Sequence, residues 1–146
     1  MKGILNTDGG ARGNPGPAGI GVVLKDADGI VVDEIARPIG HTTNNVAEYE
    51  ALIAGLRLAL DHGLTELDVY LDSELVVAQL KGKWKIKNDR LRGLAVTARA
   101  LLSRFEKTSI RHVRRAQNTH ADRLANRAMD AAEVVNDDPG QGSLLQ

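Results

Sequence analysis

The chain has 146 residues, of which 42% are hydrophobic and 26% charged, and its formal net charge at pH 7 is zero. This length and composition are typical of one globular domain. The absence of cysteine excludes disulfide scaffolds, zinc–thiolate sites and thiol catalysis. No stretch approaches the roughly 20 apolar residues of a membrane span, and the N-terminus lacks the pattern of a signal peptide. We therefore expect a soluble cytoplasmic protein.

The zero net charge conceals an uneven distribution along the chain. Residues 1–80 hold 5 basic and 12 acidic residues, a net charge of −7, whereas residues 81–127 hold 14 basic and 3 acidic residues, a net charge of +11. A charge run is most often a set of solvated helix faces. This one extends over three predicted elements, so we expect a surface that binds a polyanion.

Three apolar segments near the N-terminus predict an antiparallel meander, with strands at residues 2–7, 20–25 and 30–37. The glycines and prolines of Gly9–Gly19 are typical of a loop. Asp26–Gly29 predicts a hairpin turn, because glycine stands where a positive φ is needed.

Helices and strands alternate in the rest of the chain. A helix begins at Thr43 or Asn44 and ends near Asp61, with its apolar residues repeating every 3.6 positions. The elements predicted after it are a strand at 67–71, a short helix at 73–80, a helix capped by Asn88, a strand at 109–115, and a last helix that Asn118 caps and that ends near Glu133. Residues 134–146 are predicted to form a flexible tail after a domain of residues 1–133. The order β-β-β-α-β-α-α-β-α predicts an α/β fold, a five-stranded mixed sheet with helices on both faces.

Four acidic residues have unusual positions. Asp8 and Asp72 each follow an apolar strand at its C-terminal end, where α/β sheets place their sites. Glu48 and Asp122 lie near helix starts, on stripes of apolar or small residues that face the sheet. Capping or helix-dipole roles would explain each acid alone. Together the four would repel one another, and Mg²⁺ or Mn²⁺ would remove that repulsion, so we expect a two-metal site for phosphodiester cleavage.

These acids stand in segments that resemble ribonuclease H of type 1, a family that cuts the RNA strand of RNA/DNA hybrids. The matching segments occur in the family's order, from residue 1 to about residue 132: Thr7–Gly10, Gly13–Pro17, Thr42–Glu48, Asp72–Ser73 and Ala121–Ala125. The resemblance implies the ribonuclease H-like fold. It also implies that the four acids bind two Mg²⁺ ions, with Mn²⁺ as the alternative, and that the products carry 5′-phosphate and 3′-hydroxyl ends.

The resemblance further implies contacts with the hybrid. Three asparagines are expected to meet its minor groove, where 2′-hydroxyls distinguish RNA from DNA: Asn14, Asn44 and Asn45. Helix capping is an alternative for the latter two, and both roles are compatible. Backbone groups of a turn at Gly10 and Ala11 would face the same groove, and Thr43 would hold a DNA phosphate.

A short basic segment, Lys81–Lys87, stands where many members carry a long basic protrusion. Its alternating lysines and one tryptophan would line a groove for the DNA strand: Lys83, Trp84, Lys85 and Lys87. Packing of Trp84 in the core is an equally open alternative. Glu74 stands where many members have an amide that contacts nucleic acid, so it would lower affinity or disturb the metals.

The loop before the last acid has no histidine, in contrast to many members of the family. Arg115, seven residues before Asp122, takes that place, as in a branch of the family with arginine there. Arginine cannot act as a general base, so it would bind the scissile phosphate or stabilise developing charge. His120 is an alternative, although an exposed or capping role fits it better.

The sequence therefore predicts an endoribonuclease that acts on RNA/DNA hybrids, without a membrane or an obligate protein partner. The arginine in the loop also suggests activity on double-stranded RNA. One alternative is a non-catalytic hybrid-binding module, and another is the N-terminal domain of a larger polypeptide. A DNA nuclease of similar fold would share the acids but not the three asparagines.

Overall fold

The computed structural model describes residues 1–137. Its strands are β1 (Lys2–Ala11), β2 (Gly16–Asp26), β3 (Val31–Thr42), β4 (Glu66–Leu71) and β5 (Lys107–His112). Its α-helices are α1 (Asn44–Asp61), α2 (Glu74–Leu80), α3 (Asp89–Leu102) and α4 (Thr119–Asp137), and a 3₁₀ turn spans Arg115–Gln117. Within the described residues, no helix is both long and apolar enough to cross a bilayer.

The five strands form one mixed sheet in the order β3-β2-β1-β4-β5. The first three strands pair antiparallel, whereas β4 pairs parallel with β1, and β5 pairs parallel with β4. The mixed sheet and the order of elements predicted from the sequence are confirmed. Helix α1 packs on β1 and β2 and is covered by α3, and α4 packs against β2, β3 and β1.

The prediction of a loop over Gly9–Gly19 was right only for residues 12–15, which connect the two strands, because Gly9–Ala11 belong to β1 and Gly16–Gly19 to β2. Parallel pairing of β1 with β4 ends at Thr7 and Leu71, but β1 continues against β2 as far as the pair Ala11–Ala18. Within these strand parts, Gly9 and Gly19 are needed because α1 and α4 approach the strands closely, whereas Gly13, in the connection, has a positive φ of 90°. A Cβ on Gly9 would lie 2.1 Å from the carbonyl oxygen of Ala47 in α1, and one on Gly21 would lie 2.1 Å from that of Ala121 in α4.

Polar side chains cap three helices, two of them at the predicted caps Thr43 and Asn88 and the third at Ser73, where the helix start but not the cap was predicted. The backbone N–H groups of Val46, Val76 and Leu91 donate to Thr43, Ser73 and Asn88 at 3.3, 3.2 and 3.0 Å. Since Ser73 caps α2, capping does not explain the acid at position 72.

Three predicted boundaries differ from the structure. Strand β3 extends to Thr42, because it stays paired with the extended β2. Strand β5 ends at His112, before the 3₁₀ turn redirects the chain. Helix α4 continues past Glu133 to Asp137, and the rest of the predicted tail, residues 138–146, lies outside the described residues.

Candidate active site

Three of the four singled-out acids meet where β1 and β4 stop pairing. Carboxylate oxygens of Asp8, Glu48 and Asp72 all lie within 4.8 Å of one another. Asp8 and Asp72 follow the last pair of the parallel ladder, Thr7 and Leu71, so the register places them side by side. The N–H of Gly9 donates to Oε1 of Glu48 at 3.1 Å and holds α1 against the strand.

Burial and like charge make this cluster electrostatically costly. Asp8 is 4% exposed, and burial followed by the charges of Glu48 and Asp72 raises the pKa of Asp8 to about 9. Burial and then the Asp72 charge raise the pKa of Glu48 to about 8, against the opposing effects of Gly9 and Arg115. In the described part of the chain, Oδ2 of Asp72 is buried and has no hydrogen-bond partner. Crowded carboxylate oxygens with one unpaired atom fit a hard divalent cation.

Asp122 lies at the margin of this cluster. It is in the first turn of α4, its side chain is 26% exposed, and its carboxylate is 3.4 Å from Nε of Arg115. Its charge and a side-chain hydrogen bond contribute to the raised pKa of Asp8, so the two acids are neighbours. The carboxylate oxygens that lie close together nevertheless belong to the other three acids, Asp8, Glu48 and Asp72. The sequence predicted a set of four, and the structure shows this trio with Asp122 beside it.

A buried asparagine fixes Asp122 relative to Asp8. Asn118, only 2% exposed, donates through Nδ2 to the carbonyl oxygen of Thr7 at 2.9 Å and accepts from Asn6 at 3.0 Å. Its own carbonyl oxygen accepts from the N–H of Asp122 at 3.0 Å. The sequence predicted only a cap at Asn118, because the cross-link to β1 spans more than a hundred residues and leaves no local pattern.

Arg115 lies at the mouth of the site. Its side chain is 78% exposed and lines an open depression of about 270 Å³ together with the trio, Gly9, Gly10 and Asn44. Its positive charge offsets part of the rise that burial and Asp72 cause in the pKa of Glu48. His120 instead pairs with Glu34 of β3. The geometry therefore favours Arg115 over His120 as the cationic residue next to the acids.

A row of hydrogen bonds joins the polar residues at the rim of the depression. The N–H of Ala11 donates to Oδ1 of Asn44 at 2.8 Å, and the N–H of Asn44 donates to Oδ1 of Asn14 at 3.0 Å. Gly10 and Ala11 are thus part of β1 and not of a turn, and the N–H of Ala11 is already used. The prediction of a turn here was wrong for the same reason as the predicted loop. Asn45 is exposed at the start of α1.

The basic segment between α2 and α3 is exposed. Trp84 is 46% exposed, so the alternative of a core anchor is wrong. Its ring lines a cleft of about 510 Å³ with Lys83, Glu74 and His112. Lys85 and Lys87 are exposed on the same segment. Sequence reasoning did not assign His112 to this cleft, although its register next to Leu71 places it at the same sheet edge.

Comparisons with known proteins identify the family. A family model described as "Reverse transcriptase-like" matches residues 6–128. Ribonuclease HI of Halobacterium salinarum is 50% identical over 125 residues, which cover 86% of this chain and 63% of the relative. The crystal structure of RNase H1 from that archaeon has 47% identity and a TM-score of 0.87, with 90% of this chain and 99% of the solved chain covered. The chain belongs to the ribonuclease H family.

Two further relatives are similar over nearly the same residues. The bifunctional protein Rv2228c of Mycobacterium tuberculosis is 54% identical over 133 residues, 90% of this chain and 36% of the relative, so this chain spans about a third of its length. The solved N-terminal RNase H domain of Rv2228c has 53% identity and a TM-score of 0.87, covering 89% of this chain and all of that chain. LC11-RNase H1, solved in complex with an RNA/DNA hybrid, has 43% identity and a TM-score of 0.84, covering 90% and 99%.

Membership of the family confirms the ribonuclease H-like fold predicted from the sequence. The placement of the chain in a branch with arginine in the loop stays a prediction, as do the roles of the individual site residues.

Proposed function

We propose that this chain is an endoribonuclease that hydrolyses the RNA strand of RNA/DNA hybrids and leaves 5′-phosphate and 3′-hydroxyl ends. The observation that carries the proposal is the buried trio of Asp8, Glu48 and Asp72, in an open depression at the sheet edge. Family membership supports the reaction class, and the hybrid bound by LC11-RNase H1 supports the substrate. An acid trio of this kind costs stability, so a site that only bound nucleic acid would have no use for it.

We infer that two Mg²⁺ ions, or Mn²⁺ as the alternative, occupy the site during the reaction, held by the trio together with Asp122. Bound divalent cations activate water and stabilise the leaving oxygen of a phosphodiester. The chain's own contribution is to fix the carboxylate oxygens before binding. Gly9 orients Glu48 through its N–H, and the unpartnered Oδ2 of Asp72 supplies a free ligand atom.

Arg115 is proposed to bind the scissile phosphate, or to stabilise the charge that develops as the bond breaks. Its side chain is exposed beside Asp122, and a guanidinium remains charged at every pH of interest. We expect Arg115→Ala to lower turnover about 10- to 100-fold, with partial recovery in Arg115→Lys. Single-turnover cleavage rates measure this, and unchanged turnover in Arg115→Ala would refute the role.

The rim is proposed to select RNA by its 2′-hydroxyls. Within the described residues, Asn14 and Asn44 use Oδ1 for contacts inside the protein, which leaves their Nδ2 groups as donors toward a ligand. Asn45 adds an exposed amide, Gly10 contributes backbone at the mouth of the site, and Thr43 at the helix cap is proposed to hold a DNA phosphate. Donors fixed in this way suit the wide minor groove of a hybrid.

The exposed segment with Lys83, Trp84, Lys85 and Lys87 is proposed to contact the DNA strand. Its lysines attract phosphates, and the half-exposed indole of Trp84 offers a face for a sugar or a base. Glu74 lines the same cleft, so its carboxylate is expected to lower affinity.

The proposal is tested with one end-labelled RNA, presented paired to DNA, paired to RNA and single-stranded, with Mg²⁺ and then Mn²⁺. Cleavage of the hybrid, and none by Asp8→Asn, is the expected result. Cleavage of both duplexes would support the additional activity on double-stranded RNA that the arginine branch suggests. Binding without cleavage by the wild type would instead support the non-catalytic module.

The sequence predicted a ribonuclease H domain of residues 1–133 and a tail of residues 134–146; we propose the same single domain with its boundary moved to residue 137, because α4 continues to Asp137. The similarity to the N-terminal RNase H domain of a bifunctional protein also supports the hypothesis of a domain from a larger polypeptide. A cytoplasmic location and independence from a protein partner stay predictions from the sequence.

A further inference from the structure

Arg12 follows the last residue of β1 and begins the connection to β2. Its guanidinium reaches α4, where Nη1 pairs with Asp130 and lies 3.3 Å from Oε2 of Glu133. Nη2 donates to the carbonyl oxygen of Asn126 at 3.3 Å and to its Oδ1 at 3.2 Å. The described contacts of this side chain therefore all lie along one helix.

The connection that begins at Arg12 also carries Asn14. The N–H of Arg12 donates to the carbonyl oxygen of Pro17 at 2.9 Å and closes the connection. Oδ1 of Asn14 accepts from the N–H of Asn44 at 3.0 Å. The connection is thus attached to α1 by a neutral hydrogen bond and to α4 by a charged side chain.

The same part of α4 positions an acid of the candidate site. Asn126, which accepts from Arg12, donates through Nδ2 to the carbonyl oxygen of Asp122 at 2.9 Å. Arg12 therefore joins the connection to the helical turn that follows Asp122. An arginine beside a nucleic-acid site would ordinarily be assigned to a phosphate. Here two carboxylates flank the guanidinium, and they would repel a phosphate that approached it.

We propose that Arg12 is a positioning residue: by binding α4, it fixes the connection that carries Asn14 and so aligns the hybrid with the acid cluster. This inference rests on the proposed function. Because the anchor acts on substrate binding and not on the chemical step, its loss raises KM and leaves kcat nearly unchanged. Partly exposed ion pairs are individually weak, so we expect Arg12→Ala to raise KM about threefold to tenfold.

A charge exchange separates this role from a phosphate contact at constant net charge. The variants are Arg12→Asp, Asp130→Arg and the two combined, with Arg127→Ala as a control that removes an exposed arginine from the same helix. We expect each exchange alone to raise KM, the combination to recover most of the loss, and Arg127→Ala to change KM less than about twofold. If Arg12 contacted a phosphate, the combination would stay as impaired as Arg12→Asp, and that result would overturn the proposal.

Amide hydrogen exchange tests the anchor without metal, substrate or cleavage. In Arg12→Ala, the N–H of residue 12 and the N–H of Asn44 are expected to exchange about tenfold faster, because the first closes the connection against Pro17 of β2 and the second donates to Asn14 within the connection. Unchanged exchange at both amides would overturn the anchor, whatever KM does. If the wild type cleaved no hybrid, the proposed function would fail, while faster exchange in Arg12→Ala would still support the attachment to α4.

Discussion

The acid cluster lies among tightly packed backbone, whereas the basic segment Lys81–Lys87 lies exposed between two helices. Asp8 is almost fully buried, and a Cβ on the next residue, Gly9, would lie 2.1 Å from a carbonyl oxygen of α1. Trp84 is nearly half exposed, and the lysines around it are exposed. Metal chemistry needs ligand atoms at fixed positions, while attraction of a polyanion needs only enough charge within reach. We therefore expect changes at the cluster to be severe and changes at the segment to be graded.

The largest expected effect comes from removing one charge of the trio. Asp8→Asn or Asp72→Asn should lower the cleavage rate at least about 1,000-fold, because a neutral amide replaces a metal-binding carboxylate. Asp68→Asn is the matched control, since it removes an acid from β4 that pairs with Lys2 outside the cluster. Cleavage rates on a labelled hybrid, with circular dichroism to verify folding, measure the effect. Activity within tenfold of the wild type in Asp8→Asn or Asp72→Asn would contradict the expectation that changes at the acid cluster are severe.

Adding one methyl group at Gly9 should also disrupt the acid cluster. Gly9→Ala would force α1 away from β1, and we expect a loss of about 2–4 kcal/mol in unfolding free energy together with most of the activity. Gly93→Ala is the control, because a Cβ there meets no atom within 4 Å and lies on the exposed face of α3. That change should stabilise by about 0.5–1 kcal/mol. Urea unfolding measures both, and equal stability of the two variants would show that close packing at Gly9 is unimportant.

The raised pKa values of Asp8 and Glu48 predict how stability depends on pH. Between pH 5 and 8 the folded protein without metal retains protons that the unfolded chain has released, so its stability should fall as pH rises. Asp8→Asn should flatten this dependence and stabilise the metal-free protein at pH 8 by about 1–3 kcal/mol. Thermal unfolding from pH 5 to 9 with a chelator, compared with millimolar Mg²⁺, is the measurement. If the stability of the metal-free protein rose with pH, the raised pKa values of Asp8 and Glu48 would be contradicted.

The smallest expected effects are at the basic segment. Trp84→Ala should weaken hybrid binding about 5- to 20-fold, and Lys85→Gln should reduce the salt slope of binding by about 1, both with nearly unchanged kcat. Val96→Ala serves as the control, because Val96 is an exposed apolar residue on α3. Fluorescence anisotropy over a range of salt concentrations gives these values. A large loss of kcat with unchanged Kd would show that the segment acts in the cleavage step. The acid cluster and the basic segment would then not differ in role.

Most of the fold followed from local patterns, because apolar period, capping residues and turn glycines act over a few positions. The starts of α1, α2 and α3 are examples, since Thr43, Ser73 and Asn88 each accept a hydrogen bond from the third residue after them. The strand residues of Gly9–Gly19 were mistaken for loop because glycine indicates a loop by composition, whereas Gly9 and Gly19 here permit close approach of α1 and α4. Composition cannot distinguish the two causes.

The acids of the site could be predicted because strand ends and helix starts leave local patterns in the sequence. In the fold, the pairing of β1 with β4 and the packing of α1 bring three of them together. The supporting contacts were not predicted. Asn118 and Arg12 act across more than a hundred residues, through hydrogen bonds that only the assembled fold creates. The exposure of Trp84 likewise depends on how α2 and α3 pack, which no local pattern specifies.

Binding of Mn²⁺ to the protein without nucleic acid would show whether the buried trio is a metal centre. Calorimetric titration at pH 7.5 in two buffers of different ionisation enthalpy measures both affinity and proton release. We expect binding with net proton release in the wild type and in Asp68→Asn, because Asp8 and Glu48 hold protons at that pH. We expect Asp8→Asn to lose that binding. Equal binding by Asp8→Asn, or no binding by the wild type, would contradict the proposal that the trio is a metal centre.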